Sequence, residues 1–284
     1  DASKTPLTED DTMGLKINTN VAALNTARTL RRSTGALNQS MQRLSSGLRI
    51  NRAADDAAGL AIAEGFKSQV SGTQVSQRNA QDGISLVQTA EGAISETQNI
   101  LQRIRELSVQ SSNGTLSDAN RAAINTEVQQ LLSQVDAIAT QTEFNGINVL
   151  STAQTVTLQA GAQVSQTLSI SVAGAKTSDL GVNGVVVSSM ALAVSAISTI
   201  DTALKSVSTL RSNLGAYQNR LEFTINTLAI QEENASSSES AIRDADIATE
   251  TVKFTRNQIL VSSGTSVLAQ ANVIPQTALQ LIGR

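Results

Sequence analysis

Cysteine, histidine and tryptophan are all absent from this chain of 284 residues. Without cysteine there is no disulfide and no thiolate chemistry, and the redox compartment stays open. Without histidine there is no Ser-His-Asp triad, no Cys-His pair and no histidine-ligated zinc. The glycines form no GxGxxG or phosphate-cradling loop. A carboxylate-only site remains formally open, but the rest of the usual catalytic inventory is missing. The expectation is therefore a protein that is not an enzyme, with no cofactor and no metal. No run of 18 apolar residues occurs, so no membrane insertion is expected. No basic segment precedes an apolar one at the start, so no cleavable signal peptide is expected either. The formal charge of −3 lies wholly in DASKTPLTEDDT, residues 1–12, which hold four acids and one lysine. The remainder has 20 acids and 20 bases. That neutrality argues against nucleic acid as a partner, since phosphate binding needs a basic surplus.

Aromatics are also scarce, at 2%: Phe66, Phe144, Tyr217, Phe223 and Phe254. Aromatic rings normally supply large pieces of a globular core. Yet 40% of the residues are hydrophobic, mostly Ala, Leu, Ile and Val. That mixture suits long helices with thin seams. Proline occurs only at Pro6 and Pro275, so no proline stops a helix between them.

What is present is periodicity. Ile200, Val207, Leu214, Leu221 and Leu228 are spaced seven apart, with Ile197, Leu204 and Ile225 three before members of that series. This is a coiled-coil-like seam. A helix over about 189–235 would be roughly 70 Å long. Val87, Ile94 and Leu101 repeat by seven inside a second long helix predicted over about 58–110. Ser117-Asp118 is a cap signal for a third, which comes after the loop SSNGTLS. After Phe144-Asn145-Gly146 the period changes. Thr155–Ala160 and Thr167–Val172 alternate polar and apolar residues and predict a β-hairpin, with short β or loop over 173–188. This is the single non-helical island expected.

The two ends mirror each other. Residues 18–48 are helical by Leu30, Leu37 and Leu44, with Met41 and Leu48 alongside. Residues 242–282 are similar, with Ile247, Ile259, Leu260, Val267, Leu268 and Leu279. Neither has the wide stripe of a self-sufficient domain, so each needs a partner: first the other end, then other chains. The fold class is mainly α, a long coiled-coil-like helical bundle with one small β-hairpin region and paired N- and C-terminal helices.

Long motifs then carry a family. INTNVAALN (17–25), QRLSSGLRIN (42–51), DDAAGLAIAE (55–64), NAQDGISLVQTAEGA (79–93), LQRIRELSVQ (101–110) and FNGINVL (144–150) come first. LGAYQNRLE (214–222), IRDADIATE (242–250) and QILVSSGTSVLAQAN (258–272) with Pro275-Gln276 come after them in order. Over nearly everything from Met13 on, the chain resembles bacterial flagellins.

The resemblance implies an extension (residues 1–12), two halves of an inner-tube domain (13–55 and 241–284) and a helical-bundle domain (56–150 and 189–240) bearing the hairpin region (151–188). It implies a minimal form without outer domains. The implied function is a structural subunit that polymerises into the flagellar filament for motility, secreted and extracellular as part of the flagellum. Implied partners are many copies of itself, the flagellar export apparatus and an export chaperone, hook–filament junction and cap proteins, and the host innate Toll-like flagellin receptor. Arg103, Leu107 and Glu127 match receptor-contact positions of the family. Leu107 has a second reading as seam packing. Arg49, Arg52, Asp55 and Asp56 lie where the family connects inner tube and bundle, with polar contacts that permit slight sliding between subunits. Two other functions stay open: a hook–filament junction protein with similar ends, and a secreted binder acting as a monomer.

Overall fold

A computed structural model describes residues 19–282, so the acidic extension and Ile17 lie outside the described residues. The chain forms two compact units. Residues up to Glu64 and from Ser238 onward make a terminal unit, and Gly65–Ser237 make a central unit. The sequence placed these divisions at 55/56 and 240/241.

In the terminal unit, α1 (Val21–Ser46) packs against α5 (Ile247–Ile282). The two run antiparallel, since Asn20 meets Ala271 while Arg43 meets Glu250. Leu30, Leu37 and Leu44 are half-buried along this pair. Gly264 eases the approach: a Cβ there would lie 3.3 Å from Leu30 Cδ1. α1 stops at Gly47, whose φ of 72° is left-handed and whose N–H donates to Arg43 O. Glycine adopts that conformation without a Cβ penalty.

In the central unit, the greater parts of α2 (Ala57–Ser111) and α4 (Met190–Arg243) pack with α3 (Asp118–Gln141). Helices of 55 and 54 residues need no proline stop and find none. All eight seam positions are buried: Val87, Ile94, Leu101, Ile200, Val207, Leu214, Leu221 and Leu228. Seven of them join one continuous apolar core, and Leu228 is buried outside it. Ala80, Ala90, Ala139, Ala196 and Ala203 fill the positions that rings would otherwise occupy. Of the aromatics, only Phe144 and Tyr217 reach that core, both partly exposed. α4 is long and apolar enough by composition to cross a bilayer, but its apolar stripe is spent on this core.

β3 (Gln154–Gln159) and β4 (Thr167–Val172) form the expected antiparallel hairpin, with Val156 opposite Ile170 and Leu158 opposite Leu168. Leu168, Ile170 and Val172 point to the core and the alternate residues to solvent. Gly83 makes room for it on α2, since a Cβ there would sit 2.3 Å from Leu158.

One expectation differs. The hairpin is not the sole non-helical pairing: β1 (Glu143–Phe144) and β2 (Ile147–Asn148) also pair. Asn145 and Gly146 join them with φ of 50° and 77°, the two positive angles an Asn-Gly hairpin turn requires. Of the short β or loop expected over residues 173–188, loop is what forms. Ala175, Leu180, Val182, Val185 and Val187 are buried, yet local turns, a bond from Ala175 N to Leu150 O and side chains, rather than a strand, satisfy the backbone. Thr177 N donates to Asp136 Oδ1 (2.8 Å), Val187 N to Asn125 Oδ1 (3.0 Å), and Gln129 Nε2 to Val185 O (2.9 Å). Polar groups on α3 thus replace the neighbouring strand this segment lacks.

Candidate functional site

The helix segment around LQRIRELSVQ turns one face to the core and one to water. Ile104, Leu107 and Ser108 are buried, and Arg103, Arg105 and Glu106 are exposed. Arg103 donates to Glu127 on α3 (3.1 Å) and to Glu106 one turn on (3.2 Å). Hydrogen bonds donated to Glu127, then to Glu106, raise the Arg103 pKa and hold the guanidinium charged. The structure therefore brings Arg103 and Glu127 together and separates Leu107 from them. Leu107 is 2% exposed, one turn below that surface, and packs as core. A helix that must feed the bundle cannot present every motif position outward. Arg105, one residue over, pairs with Asp201 of α4 at 2.7 Å.

The connection between α1 and α2 is a turn held by its own carboxylates. Asp55 accepts from the N–H groups of Arg52 (3.0 Å) and Asn51 (3.2 Å). These backbone bonds, Arg52 first, lower its pKa below the usual aspartate value. Asp56 accepts from Gly59 N (2.8 Å) and caps α2. Both residues serve local structure. Arg49 does otherwise. Its N–H donates to Arg243 O (2.7 Å) and its guanidinium to Ile242 O (3.1 Å through Nε). With Ala245 N donating to Gly47 O (2.9 Å), this fastens residues 47–49 to 242–245. Arg52 is exposed. Asp246 caps α5, and its pKa falls through bonds from the Thr249 hydroxyl, then from the backbone of Thr249 and Ala248.

Three residues escaped the sequence reading. Glu250 is 4% exposed between Ser40, itself buried, Arg43 at 3.9 Å and Lys253 at 3.2 Å. Burial pushes its carboxyl up, but the Ser40 hydroxyl, Lys253 and Arg43 together outweigh it, and the pKa lies below the ordinary value. Arg121 is 7% exposed and donates to Ser111 O (3.0 Å), Asn113 O (2.9 Å) and Asp118 (3.0 Å). Asn20 precedes α1 and donates to Ala271 O at 2.7 Å. The spacing of three in Asp118-Arg121 and in Glu250-Lys253 was the visible signal. The burial of Glu250 against Ser40 and Arg43, and the Asn20–Ala271 bond, depend on pairings more than 200 residues apart.

Outside these contacts the terminal pair carries exposed apolar side chains among its polar ones. Val21, Leu24, Met41, Val252, Ile259 and Val267 are each about half exposed or more. A shallow groove on α5 is lined by Val252, Thr255, Arg256, Ile259 and Leu260. Among the described residues no three His, Cys, Asp or Glu cluster to hold a metal.

Residues 17–155 match the family pattern described as bacterial flagellin N-terminal helical region, and residues 197–282 the bacterial flagellin C-terminal helical region. This chain belongs to the bacterial flagellins. It is 46% identical to a flagellin of Halalkalibacterium halodurans and 44% identical to the flagellar filament 31.3 kDa core protein of Treponema maltophilum. Each match spans 94% of this flagellin and 99% of the relative. A solved structure of a putative flagellar hook-associated protein from Vibrio parahaemolyticus superposes with a TM-score of 0.57 over 67% of this flagellin and all of that chain. At 12% identity that likeness shows the fold alone. Flagellins are a structural family, and their place is the bacterial flagellum.

Proposed function

We propose that this flagellin, a structural subunit of the flagellar filament, polymerises through the outer faces of its terminal helix pair. We also propose that the free subunit is recognised by the innate Toll-like receptor through Arg103 and Glu127. The observation that carries the first part is the open apolar face of α1 and α5. Half-exposed Val, Leu, Ile and Met side chains along two adjacent helices form a patch that a soluble monomer normally covers. Neighbouring copies, joined head to tail in a helical array, would cover it. Arg52 is free of the turn's internal side-chain bonding and suits a contact between subunits, while Asp55 and Asp56 fix the turn that presents it.

The same reading includes secretion: export of the unfolded chain through the flagellar channel by the export apparatus with a chaperone, to an extracellular filament bounded by junction and cap proteins. For the receptor, the exposed Arg103–Glu127 pair supplies the contact and Leu107 holds α2 in place beneath it. Polymerisation would bury this face, so recognition is of free subunit. A hook–filament junction role is the second reading, favoured only by the shared fold; copy number in purified filaments separates the two.

Negative-stain electron microscopy of concentrated protein should show filaments, and a monodisperse monomer at every concentration would overturn the polymer reading. For the receptor, Arg103→Glu in monomer should abolish signalling in a reporter cell, while Arg28→Glu on α1 should leave it intact. Undiminished signalling by Arg103→Glu would sink the receptor assignment.

A further inference from the structure

α5 continues to Ile282 through Pro275. Proline has no N–H, so the carbonyl four residues earlier loses its intrahelical donor. That carbonyl belongs to Ala271, which is 7% exposed, so bulk water is largely kept from it. An unmet buried acceptor is costly. Here Asn20 meets it: Nδ2 donates to Ala271 O at 2.7 Å. The other end of the same amide is also used, because Oδ1 accepts from Ala23 N at 3.0 Å and caps α1. The two ends of an amide let it accept from a helix start and donate to a helix carbonyl several ångströms away at once.

The consequence concerns alignment. Between this contact and buried Glu250, which meets Ser40 and Arg43 at the far end, the α1–α5 seam is largely small or aliphatic, with Leu30 on Gly264, and tolerates displacement along the helix. A slip of one turn would set Leu30 opposite Leu260 or Leu268 instead of Gly264, apolar against apolar. It would also set Asn20 against a carbonyl that already has its own N–H donor four residues on. Within the paired stretch only Ala271 lacks one. We propose that Asn20, Ala271 and Pro275 form a register lock that aligns the two ends of the chain. In it the proline creates a vacancy at one position of α5 and Asn20 is the group placed to fill it. A single polar residue that fixes the alignment of an apolar helix pair is the best-attested use of such groups.

The chain's lack of cysteine makes the alignment measurable. A Cβ at position 264 would lie 3.8 Å from the Leu30 Cβ, within the span a disulfide needs. The full-length parent carrying Leu30→Cys and Gly264→Cys should cross-link completely under mild oxidation. Adding Asn20→Asp keeps the cap but removes the donor; Asn20→Ser keeps it without a charge and is too short to reach Ala271. Both should lower the 30–264 cross-link yield severalfold and raise the critical concentration for polymerisation by about ten-fold, the scale of one unmet buried acceptor. Pro275→Ala restores the N–H at 275, so in either Asn20 background it should restore both readings. This rescue is a result that general damage to α1 would not give. Full cross-linking in Asn20→Ser, no rescue by Pro275→Ala, or a parent that fails to cross-link would each overturn the lock. Cross-linking and polymerisation are scored separately. A parent that cross-links but never polymerises therefore counts against the filament reading, on which the second readout rests, and not against the lock.

Discussion

Arg121 is a guanidinium 7% exposed whose nitrogens reach two backbone carbonyls and a carboxylate. Together these close the loop between α2 and α3. Arg121→Met should remove about 2 kcal/mol of stability, because two carbonyls lose charge-assisted donors. Arg121→Lys should recover only part, since an ammonium cannot fork to both. Urea unfolding followed by circular dichroism measures this, and a loss under about 0.5 kcal/mol would show the staple to be idle. Glu250 makes the complementary case, with a pH sign. Its folded pKa lies below the ordinary carboxylate value, so its contribution is present above roughly pH 4 and is lost as pH falls through the lower, folded value. Asp55 and Asp246, also lowered, act in the same direction within the same unit. Protease resistance of the chain ends in filaments should therefore fall on acidification. Glu250→Gln should be weaker at neutral pH and lose less on acidification; an unchanged acid profile would remove Glu250 from the account. Of these side chains only Asp55 stood out in the sequence, through the motif that carries it. Arg121 and Glu250 look like surface charges until distant segments close over them, and periodicity carries no information about which polar residue will be covered.

At the scale of elements the sequence was more legible. Heptad spacing located α2 and α4, alternation located β3 and β4, and Ser117 marked the start of α3, where it now caps the helix. These signals are local, which is why they read correctly. The break between α4 and α5 was less clear: Asp244, Ala245 and Asp246 interrupt the helix because Asp246 caps α5 and Ala245 pairs with Gly47. The β1–β2 turn was visible as Asn-Gly, but two-residue strands are too short to show alternation. Leu214 tests the seam. It is 2% exposed within the core shared by α2, α3 and α4. Leu214→Asp would place an unpaired carboxylate there, a change that costs several kcal/mol. The helical signal of the central unit should collapse or melt far lower, and an unchanged melting curve would show that the heptad face is not a core.

At the scale of the whole chain, the two units differ in kind. The central unit has a continuous core, whereas the terminal helix pair has a thin seam and an open apolar face. Two helices bury too little area to offset an ordering cost of ~1–2 kcal/mol per residue. Protease should therefore trim monomer to a core near residues 65–237 and spare the ends in filaments, and the trimmed core should not polymerise. Monomer ends as resistant as the core would refute the idea that assembly orders them. The division also has an optical consequence. With no tryptophan anywhere, Tyr217 is the sole tyrosine and dominates the intrinsic fluorescence, and it sits half-buried against the central core. Its emission is blind to the terminal pair, while far-ultraviolet dichroism sums every helix. Two probes that report on different units need not melt together, so the gap between the two curves becomes a label-free gauge of how far the chain ends have ordered.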